Sequence, residues 1–415
     1  MTAASPRMQP LFEKTKTVCF GHFLMEVPVS ATVIFGPTNV DWPIEYFPGE
    51  AEKIAQHVAG QLDEIEKDRI FLSKEDITKF TRYGKVIDGA LPGQKLIFGT
   101  KDQATNSIYS FIPLGKDLFI QRALRALSID AEIKTMNTVA SSLRLRTENE
   151  IPTENGACIE GGFVSWQPEF ERIAIGIRLK EFPDVHLSIS ATRKDVLIES
   201  DALEPRVKRA EEEAKKEGLG WLYARIKTFR RGTRQLGDWN GFEILARKPM
   251  YKDDTDAHEF LFLSQGTPND PLKPVLDIRL NTGVANNKTA SVRPSISDEE
   301  AVALWDKLTT SIRIRPTGGT KNSSAESPKT PLGKHLRSGD LCTQTGWWQC
   351  MESDDIAGGK RRHFKAGETL PHMTLLGKPS LWQKLTGERP AFNRDTVWQL
   401  VAYDDASPAT TPDTK

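Results

Sequence analysis

The chain has 415 residues, 38% hydrophobic and 27% charged, the make-up of soluble globular domains and enough length for two or three separate cores. Lysine plus arginine and aspartate plus glutamate each number 56, so no net field recruits a polyanion and nucleic acid is not an expected partner. Four cysteines exclude a disulfide-dense scaffold and fit either redox compartment.

The opening MTAASPRMQPLFEKTKTV lacks the apolar run of about 7–15 residues that an export signal uses, and residues 1–16 read as a disordered segment. Nothing later approaches the roughly 18 uninterrupted apolar residues of a membrane span, so no membrane insertion is expected. TVCFGHFLMEVP then leads into ATVIFG and WPIEYF, β-branched and aromatic segments that predict strands. From Glu50 to Arg69, Ile54, Val58, Leu62 and Ile65 recur at helical spacing. KLIFG (95–99), YSFIPL (109–114) and LFIQRAL (118–124) follow as strands. A helix over Ile129 to Leu143 carries the stripe Ile133, Met136, Ala140 and Leu143, and the half closes on VASSLRLR, Val139–Arg146.

The same order then returns. GACIEGGFVSWQP again sets a cysteine before Gly and Phe, and RIAIGIRL and VHLSISA alternate as strands. Pro205 to Gly218 is a helix with only Val207, Ala210 and Ala214 apolar, which places it on the surface. FEILAR (242–247), HEFLFLS (258–264) and VLDIRLN (275–281) answer the earlier three strands. Ser297 and Glu300 form a capping box that starts a last helix, Ser297 to Ile312, striped by Ala301, Leu304, Trp305, Leu308 and Ile312. It ends on LTTSIRIR, Leu308–Arg315, an echo of VASSLRLR. The expectation is a folding unit used twice, over 17–150 and 151–316. Strands that follow strands without intervening helices make each unit mainly antiparallel with helices on one face, so the fold class is α+β with two similar lobes.

PTGGTKNSSAESPKTPLGKHL spans a predicted flexible linker, residues 317–337, too polar to bury a core. Residues 338–405, with LCTQTGWWQC and DTVWQLVAY, predict a small Trp-rich all-β module, and 406–415 a disordered tail. Cys342 and Cys350 flank Trp347 and Trp348 and, in an exported protein, could close a local disulfide across a hairpin. Cys19 and Cys158 stand at equivalent strand starts; they read as buried thiols, with a bridge between adjacent opening strands as the alternative.

No nucleophile elbow, HExxH helix, phosphate loop or dinucleotide turn is present. His363 and His372 are too widely spaced to complete a zinc site with Cys342 and Cys350, so no metal, cofactor or small-molecule substrate is expected. YKDDTDAHEF gathers Asp253, Asp254, Asp256, His258 and Glu259; a cation or a basic patch on a partner would suit it, and a solvated hairpin loop explains it more simply. WLYARIKTFRRGTRQLG interleaves Trp221, Tyr223 and Phe229 with Arg225, Lys227, Arg230, Arg231 and Arg234, the pattern of an exposed strand pair with inward aromatics and outward arginines.

CFGHFLMEVP, DWPIEYF, AEKIAQHVAGQLDEIEKDR and the run from CIEGGFVSW to LTTSIRIRP resemble the two-domain immunity proteins of type VI secretion, the cognate inhibitors of injected phospholipase effectors, over residues 17 to 316. The resemblance implies a non-catalytic protein whose immunity N-terminal and C-terminal domains grip a lipase of α/β-hydrolase type. It implies a periplasmic site of action, and the lack of an export signal leaves the cytoplasm as the alternative. A non-catalytic adaptor of a bacterial envelope complex is the competing function, with an unrecognised hydrolase a third. Protection requires nanomolar binding, about 12 kcal/mol, over an interface of roughly 1,600 Å². Trp42, Trp239, Tyr251, Asp253, Asp254 and Asp256, in loops expected to edge a cleft between the lobes, are the candidate partner contacts.

Overall fold

Period-2 burial along the strands and 3.6-period burial along the helices give an α+β fold built on antiparallel sheet. The computed structural model describes residues 7–100, 105–251, 255–285, 290–318, 332–351, 360–365, 367–376, 391–394 and 396–403. Its contacts divide the chain into two compact units, Met1–Gly318 and Gly319–Lys415.

The first half of the larger unit opens with a hairpin, β1 (Thr15–Phe20) and β2 (Phe23–Pro28). Then come β3 (Thr32–Phe35), β4 (Asn39–Val40), β5 (Trp42–Phe47), α1 (Ile54–Asp68) and the short α2 (Lys74–Lys79). A meander of β6 (Val86–Asp88), β7 (Lys95–Gly99), β8 (Asn106–Leu114) and β9 (Asp117–Ala126) leads to α3 (Ile129–Ser142) and β10 (Leu143–Leu145). The second half runs β11 (Ala157–Ile159), β12 (Gly162–Val164), β13 (Glu171–Leu179), β14 (Phe182–Thr192), α4 (Leu203–Lys216) and α5 (Gly220–Tyr223). It finishes with β15 (Lys227–Leu236), β16 (Trp239–Lys248), β17 (Ala257–Ser264), β18 (Val275–Asn281), α6 (Asp298–Thr309) and β19 (Arg313–Ile314).

Both halves use one strand order. In the first it is β4-β5-β9-β8-β7-β6, in the second β13-β14-β18-β17-β16-β15, and the leading strands join because β13 pairs with both β3 and β4. The result is a single 13-stranded sheet. The order of elements is what a duplicated unit with boundaries near 17–150 and 151–316 requires, and we propose that origin. The halves also exchange their ends: β10, closing the first, pairs with β12 of the second, whereas β19, closing the second, pairs with β2 of the first.

Cys19 and Cys158 form a disulfide across this exchange, joining β1 to β11. That corrects the expectation of two buried thiols: the exchange brings equivalent opening hairpins side by side, with Gly21 and Cys158 in an antiparallel bridge. The equivalent arginines of the closing echo serve the same junction. Arg315 donates to the carbonyls of Pro152, Glu154 and Gly156, and Arg146 to those of Glu148, Glu150 and Ile159, both guanidiniums being buried. They replace water for carbonyls that the linking segment would otherwise leave bare. Gly161, at φ +63°, lets the β11–β12 turn lie on the Tyr46 ring, where a Cβ would overlap it.

One core runs through both halves, from Phe20, Phe23 and Val27 through Ile173 and Ile175 to Trp239, Phe260 and Trp305. Full burial of each such side chain contributes about 1.5–3 kcal/mol. The helices of each half lie on opposite faces, rather than together on one. Ile65 of α1 meets Ile97, Phe111 and Ile120, while Met136 of α3 meets their strand neighbours Leu96, Phe98 and Ile108. α6, started by the Ser297–Glu300 capping box, packs Trp305 edge-on against Phe260, opposite the face taken by α4. α4 buries only Leu203, as its thin apolar stripe predicts.

Residues 7–16 are not a loose leader: Met8 and Leu11 are buried, Arg7 stacks over Phe182 and pairs with Glu300, and β1 begins at Thr15. Residues 1–6, the bulk of the expected linker (319–331) and the 406–415 tail lie outside the described residues. The smaller unit contains β20 (His335–Arg337), β21 (Gly346–Cys350), β22 (Arg361–Phe364), β23 (Met373–Leu376), β24 (Ala391–Arg394) and β25 (Val397–Tyr403). β20-β25-β21-β22 form one sheet and β23-β24 a pair, around buried Trp348 and Trp398. Cys342 and Cys350 are free buried thiols here, not a bridge. The Cys342 thiol turns to the Gln344 carbonyl and the Cys350 thiol, at the end of β21, to the Thr396 hydroxyl, so each is satisfied inside the core.

Candidate protein-docking site

In an antiparallel ladder directly opposed side chains share a face, which lets the sheet's two sides be traced strand by strand. From Gly176 the pairing runs to Ile34 in one direction and through Ser188, Arg279 and Leu261 to Ile244 in the other. Leu261 and Ile244 lie under α4. On the same face, Arg172 pairs with Asn39, Asn39 with Pro43, and Glu45 with Ile120, which lies under α1. α1 and α4 therefore cover the two ends of one face, and no described element of the larger unit covers the strands between them. The other face is closed by α3, α6 and the two opening hairpins.

The uncovered floor includes an open depression of about 580 Å³ over β13, β14 and β18. Small residues, Gly36, Ala174, Gly176, Ser188 and Ser190, line its middle, so a partner's backbone can approach closely. Charges stand around them. Arg279 pairs with Asp277 at 2.7 Å and Arg122 with Glu45 at 2.6 Å. Arg172 and Arg178 have no ion-pair or hydrogen-bond partner among the described residues. Burial, then the Arg178 charge, pushes the His186 imidazole below its ordinary value, which keeps it neutral.

The residues singled out from the sequence fall elsewhere. Trp42 is half-buried beneath α3, its indole donating to Glu132 at 2.6 Å. Trp239 is 1% exposed, edge-on to Phe23 in the shared core, so it cannot be a surface anchor. Its place beside the tight β15–β16 turn resembles a loop in sequence, but the Leu236–Trp239 pair turns the ring inward. Tyr251 borders a cavity beneath α5, and Asp256 is held by Arg247. Asp253 and Asp254 lie outside the described residues. Of the same acidic run, Glu259 pairs with Lys248 and His258 is buried.

His258 sits between Thr282 and Asp298, 2.9 Å from each. Burial lowers its pKa; burial also raises that of Asp298, but hydrogen bonds from Lys227, His258 and Arg247 outweigh this and bring it to about 2. The chain of groups has triad-like spacing, yet Thr282 is 0% exposed and its oxygen already accepts the His258 backbone N–H. A nucleophile must reach its substrate, and this hydroxyl, although its residue borders the cavity beneath α5, has no exposed surface. The arginine run behaves similarly. Arg230 and Arg234 turn onto the buried Glu243 carboxylate, which also accepts the Trp305 indole N–H at 2.7 Å, so Arg234 is inward where the sequence pattern placed it outward.

Arg172, Arg178 and Arg279 carry no mark in the sequence beyond the outward positions of RIAIGIRL and VLDIRLN, an alternation that announces a strand and not a site.

Residues 150–317 match the model of the Tle cognate immunity protein 4 C-terminal domain. No curated protein sequence matches the chain. Solved structures do share its fold. The immunity protein TplEi of the type VI secretion system from Pseudomonas aeruginosa, in complex with an “L” peptide, has a TM-score of 0.57 at 23% identity, covering 74% of this chain and 99% of that one. A chain of the Tle4–Tli4 complex gives a TM-score of 0.59 at 23% identity, covering 73% and 98%. The apo form of TplEi gives 0.55 at 20% identity, covering 73% and 98%. Residues 150–317 are thus similar to a Tle cognate immunity protein 4 C-terminal domain, and about three quarters of the chain shares the fold of these type VI secretion immunity proteins.

Proposed function

We propose that this chain binds a cognate type VI secretion lipase effector and holds it inactive without chemistry of its own, so protecting the producing cell from phospholipid hydrolysis. We further propose that the lipase docks on the uncovered floor between α1 and α4. The match of residues 150–317 to the immunity-protein domain and the fold shared with the Tle4–Tli4 complex support the class of partner, and one observation supports the surface. Arg172 and Arg178 are unpaired on an otherwise charge-paired face, where they can meet carboxylates from outside. The floor is rigid because both halves share its strands, which cuts the ordering cost of binding. This replaces the picture of two lobes closing about a short connection: the halves are fused by the sheet, the exchanged strands and the disulfide.

The enclosed Thr282 hydroxyl supports a non-catalytic role. The Cys19–Cys158 bond supports an oxidising site of action, the periplasm, over the cytoplasm. Tyr251, which borders the cavity beneath α5, and Asp256 stay in the proposal as contacts, as do Asp253 and Asp254, which lie outside the described residues. The experiment is co-expression with a lipase bearing Gly-x-Ser-x-Gly encoded beside this chain. The two should co-purify in fixed ratio with ester hydrolysis suppressed. A complex that forms without suppression would instead favour the adaptor role.

A further inference from the structure

Beneath α5, between the C-terminal end of α4 and strands β17 and β18, lies a half-open cavity of about 610 Å³. It falls within the about 300–1,000 Å³ that small-molecule sites occupy. Its lining is segregated. Leu219, Leu222, Ile226, Pro249 and Val284 make an apolar wall, while His186, Ser188 and Asn281 stand together on adjacent sheet strands. Large apolar side chains also flank the lining segments on the outside: Trp221, 55% exposed, and Met250, 67% exposed.

One atom asks for a ligand. The His186 Nε2 is buried with no hydrogen-bond partner among the described residues, an unfavourable condition if nothing fills it. The imidazole is neutral, since burial and the nearby Arg178 disfavour its charged form. The ring's other nitrogen, Nδ1, donates to the Pro183 carbonyl, so Nε2 of the neutral ring offers a lone pair, which a hydroxyl can answer as donor. The Ser188 hydroxyl and Asn281 amide on the neighbouring strand positions make further hydrogen bonds available to a second hydroxyl. A carboxylate head is disfavoured at this point, because Nε2 presents a lone pair to it.

We propose that this cavity binds a single-chain amphiphile with a hydroxylated head, a monoacylglycerol or a lysolipid. The chain lies along Leu219, Leu222 and Val284, and the head hydroxyl meets His186 Nε2. The site is separate from the uncovered floor except at His186 and Ser188, which border both.

The test is calorimetric titration of the full chain, without any lipase, with 1-monodecanoylglycerol below its micelle concentration. Saturable binding of one molecule per chain is expected. Leu222→Trp, which fills the apolar end, should weaken binding at least tenfold, and His186→Phe about tenfold. Methyl decanoate, with the same chain and no hydroxyl, should also bind about tenfold more weakly. If Leu222→Trp unfolds, Ala214→Phe, on the exposed helix α4 and facing the same cavity, takes its place. No saturable binding to the native chain, or affinity unchanged by the filling variant, overturns the proposal. So does a filling variant that keeps monodecanoylglycerol affinity but loses lipase capture, since the opening would then be a protein contact. Because the titration contains no lipase, a negative result leaves the lipase-binding function untouched, and failure to capture a lipase leaves the cavity untouched.

Discussion

Replacing both Cys19 and Cys158 by alanine removes the one side-chain cross-link between the two halves of the larger unit among the described residues. The bond closes a loop of sequence separation 139, and the chain-entropy model gives roughly 5 kcal/mol at 25 °C for a loop of that length. Two further effects act in opposite senses. The sulfurs are 2% and 0% exposed, and deleting each leaves a small cavity worth about 1 kcal/mol. Residual structure in the unfolded chain lowers the entropic gain, and such bonds commonly deliver less than the model. The expected loss is about 3–5 kcal/mol. The native contacts themselves should persist, because β10–β12, β19–β2 and the β13 junction hold the halves without the bond. Guanidinium denaturation of the oxidised protein and the double variant measures the loss. The chain has two units, so the transition to follow is the one that moves. A shift below about 1 kcal/mol would refute the view that the cross-link restrains the unfolded chain, as would free thiols at both positions in protein prepared from an oxidising compartment.

Glu243→Ala leaves the buried Trp305 indole without its acceptor and Arg230 and Arg234 with Asp306 as their remaining carboxylate, and should destabilise the larger unit by about 2–3 kcal/mol in the same denaturation assay. A loss under about 1 kcal/mol would mean the network is solvated. Stability should fall on acidification in two ranges. His258, whose folded pKa is depressed by burial, is neutral in the fold, so stability is complete above its ordinary value of 6.5 and declines as pH falls below it. Asp298, folded pKa about 2 against 3.8 unfolded, adds a second decline between about pH 4 and 2, roughly 2 kcal/mol in all. Asp298→Asn should abolish that lower step, seen in melting temperature against pH; a step that survives the substitution assigns it to another carboxylate.

Much of the fold is legible in the sequence because it is local. Ser297 and Glu300 start α6 as a capping box, and Ile54, Val58, Leu62 and Ile65 mark α1 to within a few residues. WPIEYF, KLIFG and VLDIRLN are strands with those bounds. Pairing partners are not local. Nothing in LRL or RI announces that each closes on the other half's hairpin, so neither the exchange nor the Cys19–Cys158 bond follows from periodicity. The continuous sheet rests on two short junctions, β3 and β4 against β13, and alternation in ATVIFG looks the same with or without a neighbour. The proposed floor is inconspicuous in the sequence for a related reason. Trp239 and the loop aspartates draw attention by residue type, whereas the floor consists of outward side chains of strands, and Arg172 and Arg178 are ordinary alternating positions in RIAIGIRL.

Inhibition titration reaches the central claim most directly: lipase ester hydrolysis against rising concentrations of this chain, native and Arg172→Glu/Arg178→Glu. Both positions face outward on a strand, so the double reversal should leave the denaturation profile within about 0.5 kcal/mol of native. The native chain should inhibit stoichiometrically, and the variant should need at least tenfold more protein for the same effect. Equal inhibition by a correctly folded variant would contradict the docking surface, and a native chain that leaves the lipase fully active would contradict the function itself.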